Sequence, residues 1–345
     1  MAYSAVRAVR DPNCMPTPET SCGTCIARSE ARSICNWRFV RAGWVLIGLA
    51  LSCERGHREA TPATPQPSQA APAMKPTSCT LAPHPVRLPR PQRAVAIGDL
   101  HGDLAGARAA LRAAGAIDDR DAWIGGGLVV VQLGDVLDRG DEESQILEWF
   151  DRLDTDARAV GGAVIQLLGN HELMNAAHDF RYVTRGGAGD FGGDREHALA
   201  PGGPWAKRLA QHDTIAMIGD TILSHAGIVG DWAANIDEVN LTTRCWLDGQ
   251  AGSQTEPPPV LVRQDSPLWT RVWGSGTVDC ERLGQVLHRV GANRMVVAHT
   301  VQEHGITSAC DEKLWRIDVG LAKLYGGPIE VLELGDPPHV RRGER

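Results

Sequence analysis

The chain reads as an α/β protein built on parallel strands. Three observations predict this. Short apolar runs recur at Ala94-Val-Ala-Ile97, Leu128-Val-Val-Val-Gln-Leu133 and Ala163-Val-Ile-Gln-Leu-Leu168. Helical patterns separate them, with Leu104, Ala107, Leu111 and Ala114 on one face of the first and Ile146, Leu147, Phe150 and Leu153 on one face of the second. Each run stops at a glycine that is followed at once by an oxygen donor: Gly98-Asp99, Gly134-Asp135 and Gly169-Asn170. Strand–helix–strand repetition implies right-handed crossovers, which bring the carboxyl ends of the strands to one edge. Sites in α/β sheets form at such ends.

The elements before that region have a different character. Residues 1–37 hold Cys14, Cys22, Cys25 and Cys35 and little periodicity. Cys22-Gly-Thr-Cys25 has the spacing of half a zinc site or a redox pair, but no second pair accompanies it, so the segment reads as an unstructured leader. Over residues 38–53, basic residues precede a short apolar run, Trp44 to Leu51, and then Ser52 and Cys53. This is the shape of a secretory signal, too short to span a bilayer. Ala50-Leu-Ser-Cys53 resembles a bacterial lipobox, whose cysteine is lipidated, and departs from it at Ala50, where that motif prefers leucine. Export is therefore expected, to the periplasm or to a membrane anchored through Cys53, with a cytoplasmic location if the signal is unused. Residues 54–92 are rich in Pro, Ala, Thr, Ser and Gln, a composition that cannot bury enough surface to order itself, and read as a tether. A folded domain is expected over residues 93–340. A net charge of −7 argues against nucleic acid as a general partner.

Within the domain, chemistry-bearing residues collect at strand ends. Asp99 and His101 are two apart, so on an extended end they point the same way. Asp103 is a plausible cap for the helix that follows. Two further strands end in histidine: Thr221-Ile-Leu-Ser224 leads into His225 and Met295-Val-Val-Ala298 into His299. Any one such residue is more often a helix cap or a satisfied polar group. Together, five strand ends offer two Asp, one Asn and three His. That set suits two divalent metal ions, with Asp135 on the middle strand as the natural bridge and Asn170 as a neutral ligand. Mn, Fe and Zn all suit mixed imidazole and carboxylate donors. Arg139 is a forked donor matched to phosphate oxygens.

Gly98-Asp-Leu-His-Gly102, Gly134-Asp-Val-Leu-Asp-Arg-Gly140 and Gly169-Asn-His-Glu172 resemble the three signature motifs of the calcineurin-like metallophosphoesterases, and more narrowly those of the phosphoprotein phosphatase branch. The likeness continues through Ser224-His-Ala-Gly227 and Ala298-His-Thr300 and covers roughly residues 92–335. Gly169-Asn-His-Glu-Leu-Met-Asn175, Phe180-Arg-Tyr-Val183 and Arg316-Ile-Asp-Val-Gly320 are similar to the Shewanella-like protein phosphatases. The carboxyl-terminal Ser-Ala-Pro-Asn-Tyr of eukaryotic serine/threonine phosphatases is absent.

The resemblance implies a β-sandwich of two mixed sheets flanked by helices in four layers, αββα. It implies that Asp99, His101 and Asp135 hold one metal and that Asp135, Asn170, His225 and His299 hold the other. His171 would be the general acid, steered by Asp138. Arg139 and Asn170 would bind the substrate phosphate with a second arginine, for which Arg271 is the best match and Arg244 and Arg263 are rivals. The implied activity is a two-metal phosphomonoester hydrolase, foremost a protein phosphatase, in which a metal-activated hydroxide attacks phosphorus in line. A dinucleoside polyphosphatase or other small-molecule phosphoesterase shares the Asp-Arg-Gly ending. A non-catalytic binding lipoprotein is the remote third reading. Expected substrates are phosphorylated protein or a small phosphoester, and phosphoserine, phosphothreonine and phosphotyrosine stay open.

The remaining elements follow from local pattern. Residues 179–203 have few apolar anchors and read as a surface loop or lid, from which Arg181 and Arg185 either meet substrate or are solvated. Residues 250–259 read as a second polar loop. Residues 214–224 read as a hairpin turning at Gly219-Asp220, residues 279–290 as an amphipathic helix, and 313–318 and 329–334 as closing strands. His212 and His304 have no motif partner. Cys79, Cys245, Cys280 and Cys310 allow two disulfides in an exported protein, or buried free thiols.

Overall fold

Period-two alternation along the strands determines the layers. The computed structural model describes residues 79–250 and 257–345. The leader, the signal-like segment with Cys53, the tether up to residue 78 and most of the loop at 250–259 lie outside the described residues. The strands are β1 (Arg87–Leu88), β2 (Arg93–Ile97), β3 (Leu128–Gln132), β4 (Ala163–Gln166), β5 (Ile215–Ile218), β6 (Thr221–Ser224), β7 (Arg294–Val297), β8 (Thr307–Ala309), β9 (Leu314–Arg316), β10 (Ile329–Glu333) and β11 (His339–Gly343). The helices are α1 (Leu104–Ala114), α2 (Glu143–Ala159), α3 (Asn170–Ala176), α4 (Arg195–Leu199), α5 (Pro204–Leu209), α6 (Ile236–Leu247), α7 (Pro259–Val262) and α8 (Cys280–Val290).

Two mixed sheets result. One has the order β11-β10-β2-β3-β4, with β2, β3 and β4 parallel and β10 antiparallel to β2. The other has the order β1-β5-β6-β7-β9-β8, with β6, β7 and β9 parallel. Ala96, Val131, Leu223, Val296, Trp315 and Leu332 form the layer between the sheets. Their strand neighbours Ile97, Val130, Ile222, Val297, Leu314 and Val331 point outward against the helices. The inward faces of α1, α2 and α8 supply Leu111, Phe150 and Leu287. This is the four-layer sandwich that the resemblance implies. Parallel strands β2, β3 and β4 end in Asp99, Asp135 and Asn170, and β6, β7 and β9 end in His225, His299 and Asp318.

The local expectations hold in most places. Asp103 caps α1 by accepting from the Gly106 amide at 2.9 Å, and Asp279 caps α8 through the Arg282 amide at 3.0 Å. β5 and β6 form the hairpin, with Gly219 in the left-handed region at φ 59°. Both disulfides are present, Cys79–Cys245 and Cys280–Cys310, so the four cysteines are not free thiols. Two readings need correction. Residues 179–203 are no loose lid: Phe191, Arg195 and Leu199 are buried. And residues 79–92 are not tether: Cys79 is bonded to Cys245 and β1 pairs with β5, so the domain begins before residue 93. Asn170–Ala176 is helical, so His171 follows Asn170 around a helix turn.

Glycine is required where the strand ends meet. Gly134 has φ 87°, and a Cβ there would lie 2.3 Å from the Gly169 amide nitrogen. A Cβ on Gly169 would lie 2.1 Å from the Asp135 carboxylate. Gly115 also has positive φ, 69°, but nothing surrounds its missing Cβ. Gly115→Ala should therefore cost only the left-handed strain, about 1–2 kcal/mol. Gly134→Ala should cost that and about 1–3 kcal/mol more from backbone overlap. Urea midpoints of the two variants check this, and equal losses would show that the close approach is not limiting.

Candidate active site

The turn after β3 is shaped by a carboxylate that the motif reading left without a role. Glu172, buried on α3, accepts from the amides of Asp135 (2.9 Å), Val136 (2.8 Å), Leu137 (3.0 Å) and Gly169 (2.7 Å). The Asp135 carbonyl in turn accepts from Leu100 and His101 at 3.0 and 2.9 Å. Positive φ marks His101, Asp135, Asp138, Arg139 and His299, five of the eleven such non-glycine residues among those described. Each costs of order 1–3 kcal/mol and persists because the surrounding bonds over-determine it.

The proposed ligands converge in the interior. Asp135 Oδ2 lies 3.3 Å from His225 Nε2, 3.7 Å from His171 Nε2 and 3.9 Å from His101 Nε2. Asp99 lies 3.8 Å from both His101 Nε2 and His225 Nδ1. His225 Nε2 is 3.0 Å from Asn170 Oδ1 and 3.1 Å from His299 Nδ1. The rings are aimed by their other nitrogens: His101 Nδ1 meets the Leu137 carbonyl at 3.0 Å and His225 Nδ1 that of Leu133 at 2.8 Å. Such outer contacts set the tautomer and leave Nε2 for a ligand.

The electrostatics of this cluster call for cations. Burial pushes the Asp99 carboxyl well up, and the neighbouring Asp318 and Asp135 carboxylates add to the shift. Burial would raise Asp135 too, but the imidazoles of His225 and His171 overcome it and hold that carboxyl well below the usual range. Burial lowers His101 to about 3 and, with His225 beside it, His299 to about 2. Burial opposes the charged form of His225 as well, but the Asp135 carboxylate overcomes it and raises that imidazole. Buried carboxylates with imidazoles such as those of His101 and His299 are the donor set that divalent metals take. His101, Asp135 and His171 form one group with metal-ligand spacing, and Asp135, His225 and His299 form another. Asp135 belongs to both, as a bridge would. The residues fit the metals.

His171 in the first group is a finding that spacing did not predict. Its Nδ1 is 2.6 Å from Asp138 Oδ2, the pairing expected for it, while its Nε2 faces the shared carboxylate.

A cleft of about 280 Å³ opens over this floor, lined by Asp135, Asn170, His171 and His299 below and by Arg139 and Arg271 at the sides. Arg139 stands 2.8 Å from His101 Nε2 and contacts the Tyr325 hydroxyl. Arg271 donates to Thr300 Oγ1 at 3.0 Å. Its rivals are occupied elsewhere: Arg244 donates to the Ala210 carbonyl and Arg263 pairs with Asp265. Arg181 bonds to Asp179, and neither it nor Arg185 lines the cleft. The walls are Tyr182, which lies in the Phe180-Arg-Tyr-Val183 stretch, and Trp269, Val301 and Tyr325, and the sequence assigned none of them a role. The Arg139 guanidinium lies 4.9 Å from the Tyr182 ring centre and 5.5 Å from that of Tyr325. Burial raises the Tyr325 hydroxyl to about 12, so it stays protonated. Asp318, buried beside Asp99, did carry a signal: Arg316-Ile-Asp-Val-Gly320 repeats the strand-then-aspartate pattern.

Buried carboxylates and imidazoles beneath two guanidinium groups define a metal-dependent phosphoesterase. The calcineurin-like phosphoesterase model matches residues 93–303, and the chain belongs to that family. It is 35% identical to Shewanella-like protein phosphatase 2 of Arabidopsis thaliana, over 74% of this chain and 78% of that protein. It is 30% identical to Shewanella-like protein phosphatase 1 of Plasmodium berghei, over 68% and 69%. Among solved structures it is similar to the cold-active protein-tyrosine phosphatase of a psychrophilic Shewanella species, with a TM-score of 0.64 and 26% identity over 75% of this chain and 83% of that one.

A second buried cluster lies behind His171. Glu143 accepts from the Asp138 amide at 2.5 Å and pairs with Arg195. Burial raises its carboxyl to about 7 against the pull of Arg195. Folded Glu143 thus holds its proton more tightly than the unfolded chain does, so its contribution to stability falls as pH rises from the ordinary value of 4.5 towards 7. The loss amounts to about 3 kcal/mol at most. Glu143→Gln should flatten that decline, and the difference between the two proteins in urea unfolding at pH 5 and pH 7 checks it.

Proposed function

We propose that the protein is a protein phosphatase using two divalent metals, with phosphotyrosyl side chains as its favoured substrate. The single observation that supports this best is the cleft itself, where Arg139, Arg271 and His171, backed by Asp138, face one small space above the shared carboxylate Asp135. Asp99, His101 and Asp135 hold one metal, and Asp135, Asn170, His225 and His299 the other. When bound, such ions polarise the phosphoryl group and activate water for in-line attack, and Mn, Fe and Zn each suit the donors.

The chain's own residues supply the rest. Arg139, Arg271 and Asn170 bind the phosphoryl oxygens, and the fixed guanidinium charges favour the transition state, where negative charge spreads over those oxygens. His171 carries a proton on Nδ1 towards Asp138 and delivers the Nε2 proton to the departing oxygen. Tyr182, Trp269 and Tyr325 make a wall suited to an aromatic leaving group. The word tyrosine in the name of the Shewanella enzyme supports the same choice. An adenine ring would also stack there, so a turnover panel of phosphotyrosyl and phosphoseryl peptides against a dinucleoside tetraphosphate decides the substrate. Faster turnover of the dinucleotide would reject the phosphatase reading.

Asp135→Asn should lose both metals, and Asn170→Ala should mainly weaken the second site. Elemental analysis reads this directly, and a full complement in Asp135→Asn would refute the bridge. His171→Asn should lower turnover of a phosphopeptide about 10²–10⁴-fold, the usual worth of a general acid. Nitrophenyl phosphate, whose leaving group departs without a proton, should lose far less. Equal losses with metals retained would assign His171 to phosphate binding instead.

A further inference from the structure

Arg195 belongs to none of the motifs, yet its guanidinium is buried behind the catalytic pair. Its Nη2 donates to Asp138 Oδ1 at 3.2 Å, and its Nε donates to Asn175 Oδ1 at 2.7 Å. Its Nη1 pairs with Glu143 and donates to the Gly187 carbonyl at 3.0 Å. The Phe191 ring lies 5.0 Å away. Arg195 is 6% exposed, and Asp138, Glu143 and Asn175 are 0% exposed.

We propose that Arg195 is a positioning residue for the Asp138–His171 pair, with Glu143 as its counter-charge. The proposal rests on the reading of His171 as the general acid. Asp138 has two oxygens and three donors. Oδ2 faces His171 Nδ1 at 2.6 Å, while Oδ1 accepts from Arg195 at 3.2 Å and from Asn175 Nδ2 at 3.0 Å. Two fixed donors on one oxygen stop the carboxylate from turning and keep the other oxygen on the imidazole. Asn175 needs Arg195 for this. The Arg195 Nε bond occupies its carbonyl oxygen, so its amide nitrogen must face Asp138 and the His171 carbonyl, 2.9 Å away. Arg195 thus holds Asp138 directly and through Asn175. Glu143 fits the same reading. A guanidinium this deeply buried requires paired charge, and one carboxylate engaged with an imidazole does not meet its five donors.

The alternative is a clamp that merely fastens residues 187–199. Two variants separate the two readings. Arg195→Lys keeps the charge and loses the fork. Arg195→Met with Glu143→Gln removes both charges together, so neither is left buried and unpaired. A positioning role predicts that kcat for a phosphotyrosyl peptide falls about 10–100-fold, as for other outer supports of a site. KM and zinc content should stay near those of the wild type. Nitrophenyl phosphate turnover should fall several-fold less than peptide turnover. In the zinc-loaded enzyme with ¹⁵N-labelled histidine, the hydrogen-bonded ring proton of His171, assigned by its loss in His171→Asn, should shift or broaden. Equal losses on both substrates, or an unmoved ring proton, would overturn the proposal, as would failure of both variants to fold. If His171→Asn itself spares no substrate, the general-acid reading fails and takes this role with it. If His171→Asn is selective and the Arg195 variants are not, only the role of Arg195 fails.

Discussion

Four backbone amides converge on one buried carboxylate, that of Glu172, and the catalytic face depends on them. Hydrogen bonds to a charged acceptor are worth about 1.5–3 kcal/mol each. That scale matches the strain of holding Asp135, Asp138 and Arg139 at positive φ, about 1–3 kcal/mol apiece. With the turn fixed, Asp135 points to the centre, Asp138 to His171 and Arg139 to the cleft. The acid on α3 holds the turn from Asp135 to Leu137, and Glu143 and the Tyr182 carbonyl take over at the amides of Asp138 and Arg139.

The second constraint is the closure of two sheets on one core. Strands β2, β3 and β4 bring Asp99, Asp135 and Asn170; strands β6, β7 and β9 bring His225, His299 and Asp318. A single open sheet would present only one such row. Facing rows place three carboxylates and four imidazoles, counting His171, in a space that excludes water. Burial then drives His101 and His299 towards neutrality and the Asp99 carboxyl upward, a conflict that bound cations resolve.

The cleft above that floor is built from different material. Tyr182 comes from the segment after α3, Trp269 and Arg271 from the stretch after α7, and Tyr325 from the turn before β10. These segments share no period and no motif. Tyr182 is placed by its own carbonyl, which accepts from the Arg139 amide at 3.0 Å, a contact across a gap that local pattern does not report. The packing of residues 179–203 through Phe191, Arg195 and Leu199 was hidden for the same reason. One of its anchors is a charged side chain, which reads as solvated until its buried partners are known.

What the sequence determined by itself was the grammar of strand ends. A short apolar run and an oxygen or imidazole donor, with a glycine between them at the first three strand ends, lie within a few residues of one another, and side-chain period and chain direction turn that spacing into position. So Asp99, His101, Asp135, Asn170, His225 and His299 were legible, as were the hairpin at Gly219 and the caps at Asp103 and Asp279. Only the tertiary structure decided the rest. It paired Cys79 with Cys245 and Cys280 with Cys310, brought Arg271 and neither Arg244 nor Arg263 to the cleft, and put His171 on a helix with its Nε2 facing Asp135. It also gathered Glu143, Asn175 and Arg195 behind Asp138. Those outcomes join residues far apart in the chain, and the free energy that selects them is burial and hydrogen bonding between distant segments, which no local spacing encodes.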